Sequence, residues 1–119
     1  MMASSKGHAP VVRALLAAGA DIDARRNGSL TALHVASQNG HAEALRELLK
    51  RDPNVNAQDH NGHTPLMYAC VFGHLMVATL IIGHGADVNL LSNAGDSALV
   101  YARENARAIV SLLEALGAR

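Results

Sequence analysis

The chain has 119 residues, half of them hydrophobic, which is enough for one compact domain with a single core. Lysine plus arginine and aspartate plus glutamate both number 10, so the formal net charge is zero. This balance disfavours nucleic-acid binding, which needs clustered positive charge. Only 3% of residues are aromatic, and small or branched aliphatic side chains favour close helix packing over a ring-lined ligand cavity.

Nothing in the sequence indicates an oxidising compartment or a membrane. Cys70 is the single cysteine and cannot form an internal disulfide. No apolar run approaches the roughly 20 residues of a membrane span, and the start MMASSKGHAP has no apolar signal core. We therefore expect a cytoplasmic protein, with the nucleus as an alternative, and no membrane partner.

The sequence repeats a unit of 33 residues. Gly-His pairs stand at 7–8, 40–41 and 73–74, so the histidines are 33 residues apart (8 to 41, 41 to 74). The phrases GADID at 19–23 and GADVN at 85–89 fall two such steps apart without a gap. Many columns that share one period indicate a repeat architecture.

Each unit predicts two short helices. Thr31, Thr64 and Ser97 can cap the first helices through their hydroxyls, and Gly40 and Gly73 can take the left-handed conformation that ends them. The predicted first helices are ALHVASQN, PLMYACVF and ALVYAREN. The second helices, with aliphatic side chains at helical spacing, are HAPVVRALLAA, HAEALRELLKR, HLMVATLIIG and ARAIVSLLEAL.

The stretch DHNGHTPLMYACVFGHLMVATLIIGHGADVN and its partial copies, over residues 7–116, resemble the ankyrin repeat. The resemblance implies an all-α solenoid of stacked antiparallel helix pairs. Their connecting loops, here called fingers, would project like hairpins at about 19–30, 52–63 and 84–96. Fingers and first helices would line a concave face that usually binds another protein.

The single domain, 1–119, would contain four units: a partial unit at about 1–25, full units at 26–58 and 59–91, and a C-terminal cap at 92–119. Asp52-Pro53 replaces the Gly-Ala of other units, so the helix before it should end less comfortably. His34 matches a family position whose ring supports neighbouring turns through hydrogen bonds. Met67 and Val100 replace it later, so that network should be partial.

The stretch HNGHTPLMYACVFGH at 60–74 concentrates histidine and the cysteine, which raises the question of a metal or catalytic site. His74 recurs at helix starts and favours a structural role, and Cys70, next to Ala69, suits packing. His60 and His63 could make only a weak surface metal contact, because structural zinc needs about four ligands. No nucleophile elbow or phosphate-binding glycine loop appears. We predict a non-enzyme without metal or cofactor.

Residues that differ between units at exposed positions are the candidates for a protein partner. Val71-Phe72 is an apolar pair where the flanking units have Gln38-Asn39 and Glu104-Asn105. Phe72 either anchors a partner or packs against neighbouring repeats; the sequence leaves both open. The predicted partner-binding residues on first helices and fingers are Phe72, Val71, His60, Asn61, His63, Gln38, Asn39, Leu30, Asn27, His84, Leu91 and Asp96.

Charge is unevenly distributed, with no lysine or arginine between Arg51 and Arg103. That interval contains four aspartates and four histidines, so it is mildly acidic at neutral pH. We expect a preference for a basic or neutral partner segment, weakened by histidine protonation below about pH 6.5. An uninvolved, solvated surface is the alternative.

The first unit lacks most of its first helix, so its second helix exposes apolar residues such as Val11 and Leu15. The chain could be a fragment of a longer array, residues 1–6 could fold back as a cap, or a second copy could form a homodimer there. The alternative function is accordingly a structural or self-associating module that docks through this open N-terminal end.

Overall fold

The computed structural model describes residue 28 and residues 30–118. Within this range the secondary structure is helical, without a strand. The helices are α1 (Ala32–Asn39), α2 (Ala42–Leu49), α3 (Pro65–Phe72), α4 (Leu75–Gly83), α5 (Ala98–Asn105) and α6 (Arg107–Ala115). The predicted all-α architecture is confirmed for this part of the chain.

The helices stack as three pairs in two rows. Each first helix contacts its own second helix, in the pairs α1–α2, α3–α4 and α5–α6. Helices α1, α3 and α5 pack side by side in one row, while α2, α4 and α6 form the other. A single core runs between the rows, with buried Leu33, Leu66 and Leu99 from the first helices and Ile81 and Leu113 from the second. Each pair is thus stabilised by its neighbours, as in other solenoids.

The predicted N-caps are confirmed at two of the three first helices. The Thr31 hydroxyl accepts the His34 N–H at 3.3 Å, and the Thr64 hydroxyl accepts the Met67 N–H at 3.2 Å. The prediction is wrong for Ser97, whose hydroxyl does not cap α5 although its backbone is equally extended. In α1 and α3 the third helical residue also accepts the N-cap N–H, closing a capping box. Val100 takes that place in α5 and has no side-chain acceptor, so the capping box is absent there.

The predicted helix ends are also confirmed. Gly40 and Gly73 have φ angles of 67° and 74°, in the left-handed region where glycine is unstrained. Asp52 has φ 54° and is the one non-glycine residue with positive φ in the described part of the chain. It occupies the position that Gly85 has in the next unit, so the helix before it does end with backbone strain.

Hydrogen bonds join adjacent fingers into a continuous ribbon. The His60 N–H donates to the Gly28 carbonyl at 2.8 Å, and one unit later the Asn93 N–H donates to the Asn61 carbonyl at 2.9 Å. The Gln58 side-chain amide adds a bond of 3.0 Å to the Leu91 carbonyl. The fingers are therefore fixed relative to one another and can hold one edge of a surface in place.

The predicted partial unit at 1–25, the open end with Val11 and Leu15, and the Asn27 contact lie outside the described residues. So do the N-terminal cap and dimer alternatives attached to that end. None of the helices from residue 30 to 118 combines the length and the apolar character that crossing a membrane would take.

Candidate functional site

An open groove of about 260 Å³ lies between α1, α3 and the finger that precedes α3. Its lining side chains are Gln38, His63, Met67, Tyr68, Val71 and Phe72. Four of these, Gln38, His63, Val71 and Phe72, belong to the predicted partner-binding set. The structure therefore brings together, in one mainly apolar depression, residues that are 34 positions apart in sequence (38 to 72).

Phe72 is the last residue of α3 and remains 49% exposed. Its ring centroid lies 6.5 Å from that of Tyr68, one turn earlier on the same helix. It is not part of the buried core cluster. The Phe72 ring is therefore only about half covered by neighbouring side chains.

In the flanking units, the residues equivalent to Phe72 form hydrogen bonds with the backbone of their own helices. The Asn39 side-chain amide donates to the Val35 carbonyl at 2.8 Å, and the Asn105 amide donates to the Tyr101 carbonyl at 3.0 Å. Phe72 has no polar group with which to make such a bond. The central unit therefore has an apolar side chain, Phe72, where the flanking units have an asparagine that is hydrogen-bonded to its own helix.

One edge of the groove is held by a tyrosine from the next unit. The Nε2 atom of His63 lies 3.1 Å from the Tyr101 hydroxyl, which in turn lies 3.1 Å from the Ser92 hydroxyl. The His63 and Tyr101 rings meet edge to face, with centroids 5.5 Å apart. His63 is consequently half-buried and its ring orientation is fixed before any partner arrives.

A buried carboxylate stands behind the groove. Asp59 accepts the Tyr68 hydroxyl with one oxygen, and the N–H groups of Asn61 and His63, both at 2.9 Å, with the other. Burial alone would raise the pKa of Asp59, but these hydrogen bonds and the nearby His63 ring outweigh it, so the pKa is lowered. Burial and the same carboxylate raise the pKa of Tyr68. The pair is thus a neutral phenol donating to a charged carboxylate.

His34 links the first described unit to this finger, as the resemblance implies. Its Nε2 atom lies 2.8 Å from the His63 carbonyl and its Nδ1 atom accepts the Thr31 N–H at 3.2 Å. Since a carbonyl can only accept, the proton is on Nε2. Met67 replaces His34 in the next unit, and its sulfur accepts the Thr64 N–H at 3.5 Å. A thioether has no proton to donate onward, so the predicted partial network is confirmed.

The other predicted contacts lie away from the groove lining. His60 and Asn61 are exposed in the second finger, and Leu91 in the third is 54% exposed. His84 is exposed at the end of α4, whereas Leu30, Asn39 and Asp96 are half-buried. The structure therefore separates the predicted set into a groove cluster and scattered finger positions.

Sequence reasoning missed Met67 and Tyr68, which complete the groove lining. Tyr68 had a detectable signal, because Tyr68 and Tyr101 occupy the same column 33 residues apart (68 to 101) and Tyr68 precedes Phe72 by one helical turn. No signal in the sequence pointed to Asp59, because its hydrogen bond with Tyr68 is visible only once the finger is folded.

The histidine and cysteine of the 60–74 stretch do not form a common site. Cys70 is fully buried, and burial raises the pKa of its thiol to about 12, which keeps it protonated and unreactive. The Nε2 atom of His74 lies 3.1 Å from the Gln38 carbonyl, and its ring lies over Gly40. In the described part of the chain, no three or more His, Cys, Asp or Glu residues are grouped to hold a metal ion.

Comparison with protein families gives a match that covers the chain. A family model described as ankyrin repeats, in three copies, matches residues 1–92 and 58–119. A search of curated proteins gives no match. The family match agrees with the period, with the paired helices and with the finger ribbon.

Proposed function

Because the chain belongs to the ankyrin-repeat family, whose members are in general protein-protein interaction modules, we propose that it binds a partner protein through the groove beside Phe72. The half-exposed Phe72 ring carries this proposal. A large apolar side chain beside a partly enclosed depression is the usual form of a binding hot spot. Gln38 and His63 at the edges supply polar groups that can orient a partner.

We infer that the rigid helix stack presents the groove side chains to a partner in a fixed arrangement. The groove residues stand on two helices and a finger that are already fixed by the Tyr68–Asp59, His63–Tyr101 and His34–His63 contacts. A surface ordered in advance loses little conformational entropy on binding, so more of the contact energy appears as affinity. The proposed role is non-catalytic, and the cytoplasm remains the proposed location.

The predicted contacts outside the groove have a secondary place in this proposal. His60, Asn61 and Leu91 lie on the finger ribbon, from which they could meet a partner that extends beyond the groove. Polar contacts at an interface rim usually contribute less than a central apolar anchor. Replacing any one of them should therefore weaken binding less than replacing Phe72.

The test compares Phe72→Glu with Met76→Glu, since Met76 is 55% exposed on α4 and does not line the groove. Both proteins would be used for affinity capture from lysate of the source cells, followed by mass spectrometry. We expect proteins captured by the unchanged chain and by Met76→Glu to be lost with Phe72→Glu. The free energy of unfolding, measured by thermal denaturation, should change by less than about 1 kcal/mol for both variants, because both side chains are exposed.

Capture that survives Phe72→Glu but is lost with Met76→Glu would move the binding surface to α4 and contradict the proposal. The alternative, a self-associating module that docks through its N-terminal end, concerns residues outside the described range. Sedimentation at high concentration tests it directly, since a strict monomer excludes the dimer.

A further inference from the structure

Most of the groove residues, from His63 to Phe72, belong to an acidic stretch of the sequence. From residue 52 to 105, which spans two fingers and the helices between and after them, the carboxylates are Asp52, Asp59, Asp87, Asp96 and Glu104. Arg103 is the only lysine or arginine in that interval, and its guanidinium lies 3.6 Å from a Glu114 carboxylate oxygen on α6. The basic Arg25 and Arg26 of the first finger lie outside the described residues.

Glu104 is the exposed carboxylate on the first helix next to the groove, although it does not line the groove itself. It is exposed, and it occupies on α5 the position that Val71 has on α3. Tyr101, one turn before Glu104 on the same helix, contacts the groove residue His63. Helices α3 and α5 pack directly against each other, and packed helix axes lie about 8–10 Å apart. A partner that fills the groove and continues across α3 toward α5 would therefore reach Glu104.

Resting on the proposed function, we propose that the partner is a protein segment with one large apolar side chain for the groove and a lysine or arginine that pairs with Glu104. An extended segment rises about 3.3 Å per residue, so the distance of about 8–10 Å from α3 to α5 corresponds to about three residues of the partner. The apolar residue supplies affinity by covering Phe72 and Val71. The basic residue sets the direction and register of the segment.

The test selects 12-residue random peptides displayed on phage against the folded chain. We expect enriched peptides to combine one Leu, Ile, Met, Phe or Trp with a lysine or arginine about two to four positions away. Synthetic copies would then be titrated against the unchanged chain, Phe72→Glu, Glu104→Gln and Glu104→Lys. Glu43→Lys is the matched control, because Glu43 is also exposed but lies on α2, in the row of second helices that contributes no residue to the groove.

We expect Phe72→Glu to abolish measurable binding, while Glu104→Gln raises Kd about two- to five-fold, the range of an exposed ion pair. Glu104→Lys should raise Kd further, and Glu43→Lys should leave it unchanged within about two-fold. Replacing the basic residue of the peptide with glutamate should restore binding to Glu104→Lys, because the charges are then complementary again.

Three outcomes would overturn the inference. Peptides that need Phe72 but respond equally to Glu104→Lys and Glu43→Lys would remove the basic requirement and leave the proposed function intact. A pool with no Phe72-dependent peptide would contradict the proposed function itself. Sedimentation showing a dimer of the unchanged chain that Phe72→Glu converts to monomer would assign the groove to a second copy.

Discussion

The recurring Gly-His pair has a physical explanation at the scale of single residues. A Cβ atom added to Gly40 would lie 2.5 Å from the His74 ring, so the histidine of one unit packs on the glycine of the unit before it. The same ring lies within hydrogen-bonding distance of the Gln38 carbonyl. The repeat period reveals that these residues matter, but the contact between them crosses two units and cannot be inferred from either motif alone.

Replacing Gly40 with alanine should destabilise the fold more than replacing Gly73. Both glycines have left-handed backbones, so each alanine should cost about 1 kcal/mol in strain. Only Gly40→Ala also displaces the His74 ring and its hydrogen bond, for about 1 kcal/mol more. At Gly73 the nearest atom would be the Asn105 carbonyl at 3.7 Å, an ordinary contact. Urea unfolding of both variants measures the difference; equal losses would show that the His74 contact contributes nothing.

The second finger shows how an element is held at both ends. Asp59 fixes its turn through two backbone N–H groups and fixes the turn to α3 through Tyr68. His63 at its end connects to α1 through its carbonyl and to Tyr101 through its ring. The sequence predicts this finger as an exposed, polar tip. It cannot show that His63 is half-buried, because the ring is covered by residues from the next unit.

The same comparison applies to the helices. The positions of the helices, their caps at Thr31 and Thr64 and their glycine ends could be predicted from local residue types alone. The absence of a cap at Ser97 could not, because the Val100 N–H bonds to the Ser97 backbone carbonyl and the serine alone does not reveal that choice of acceptor. Val100 also has no side-chain acceptor, so the capping box is absent there.

Tyr68→Phe should lower stability at neutral pH by about 1–2 kcal/mol, because it removes a hydrogen bond to a charged carboxylate. Asp59 has a lowered pKa, so its contribution is present above the unfolded value of about 3.9 and is lost as pH falls through the folded value. The difference in free energy of unfolding between Tyr68→Phe and the unchanged chain should therefore decrease as the pH falls from about 5 to 3.

Tyr101→Phe is the matched control for this prediction. It removes a hydroxyl that contacts His63 and Ser92 but no carboxylate. Its stability difference from the unchanged chain should stay nearly constant over the same pH interval. Denaturant melts at each pH measure both variants, and a constant gap for Tyr68→Phe would show that Asp59 is not the acid-sensitive partner of Tyr68.

At the scale of the whole molecule, the described helices form a short stack in which each pair packs against its neighbours. The period and the cap and turn residues were sufficient to predict a repeat of short helices, and the resemblance to the ankyrin repeat implied the stacked architecture. The sequence also identified Val71-Phe72 as a candidate anchor pair, because it breaks the polar pattern of the flanking units. The groove itself could not be predicted from the sequence, because its lining comes from two helices and a finger. In addition, Met67 and Tyr68 have the residue types expected of a helix core.

The most direct test of the groove as the binding surface is a two-dimensional amide NMR titration of the labelled chain with a selected peptide. We expect the largest shift changes at Gln38, His63, Val71 and Phe72, with those at Leu75 and Met76 on α4 near zero. Changes centred on α4, with the groove amides unmoved, would contradict binding beside Phe72.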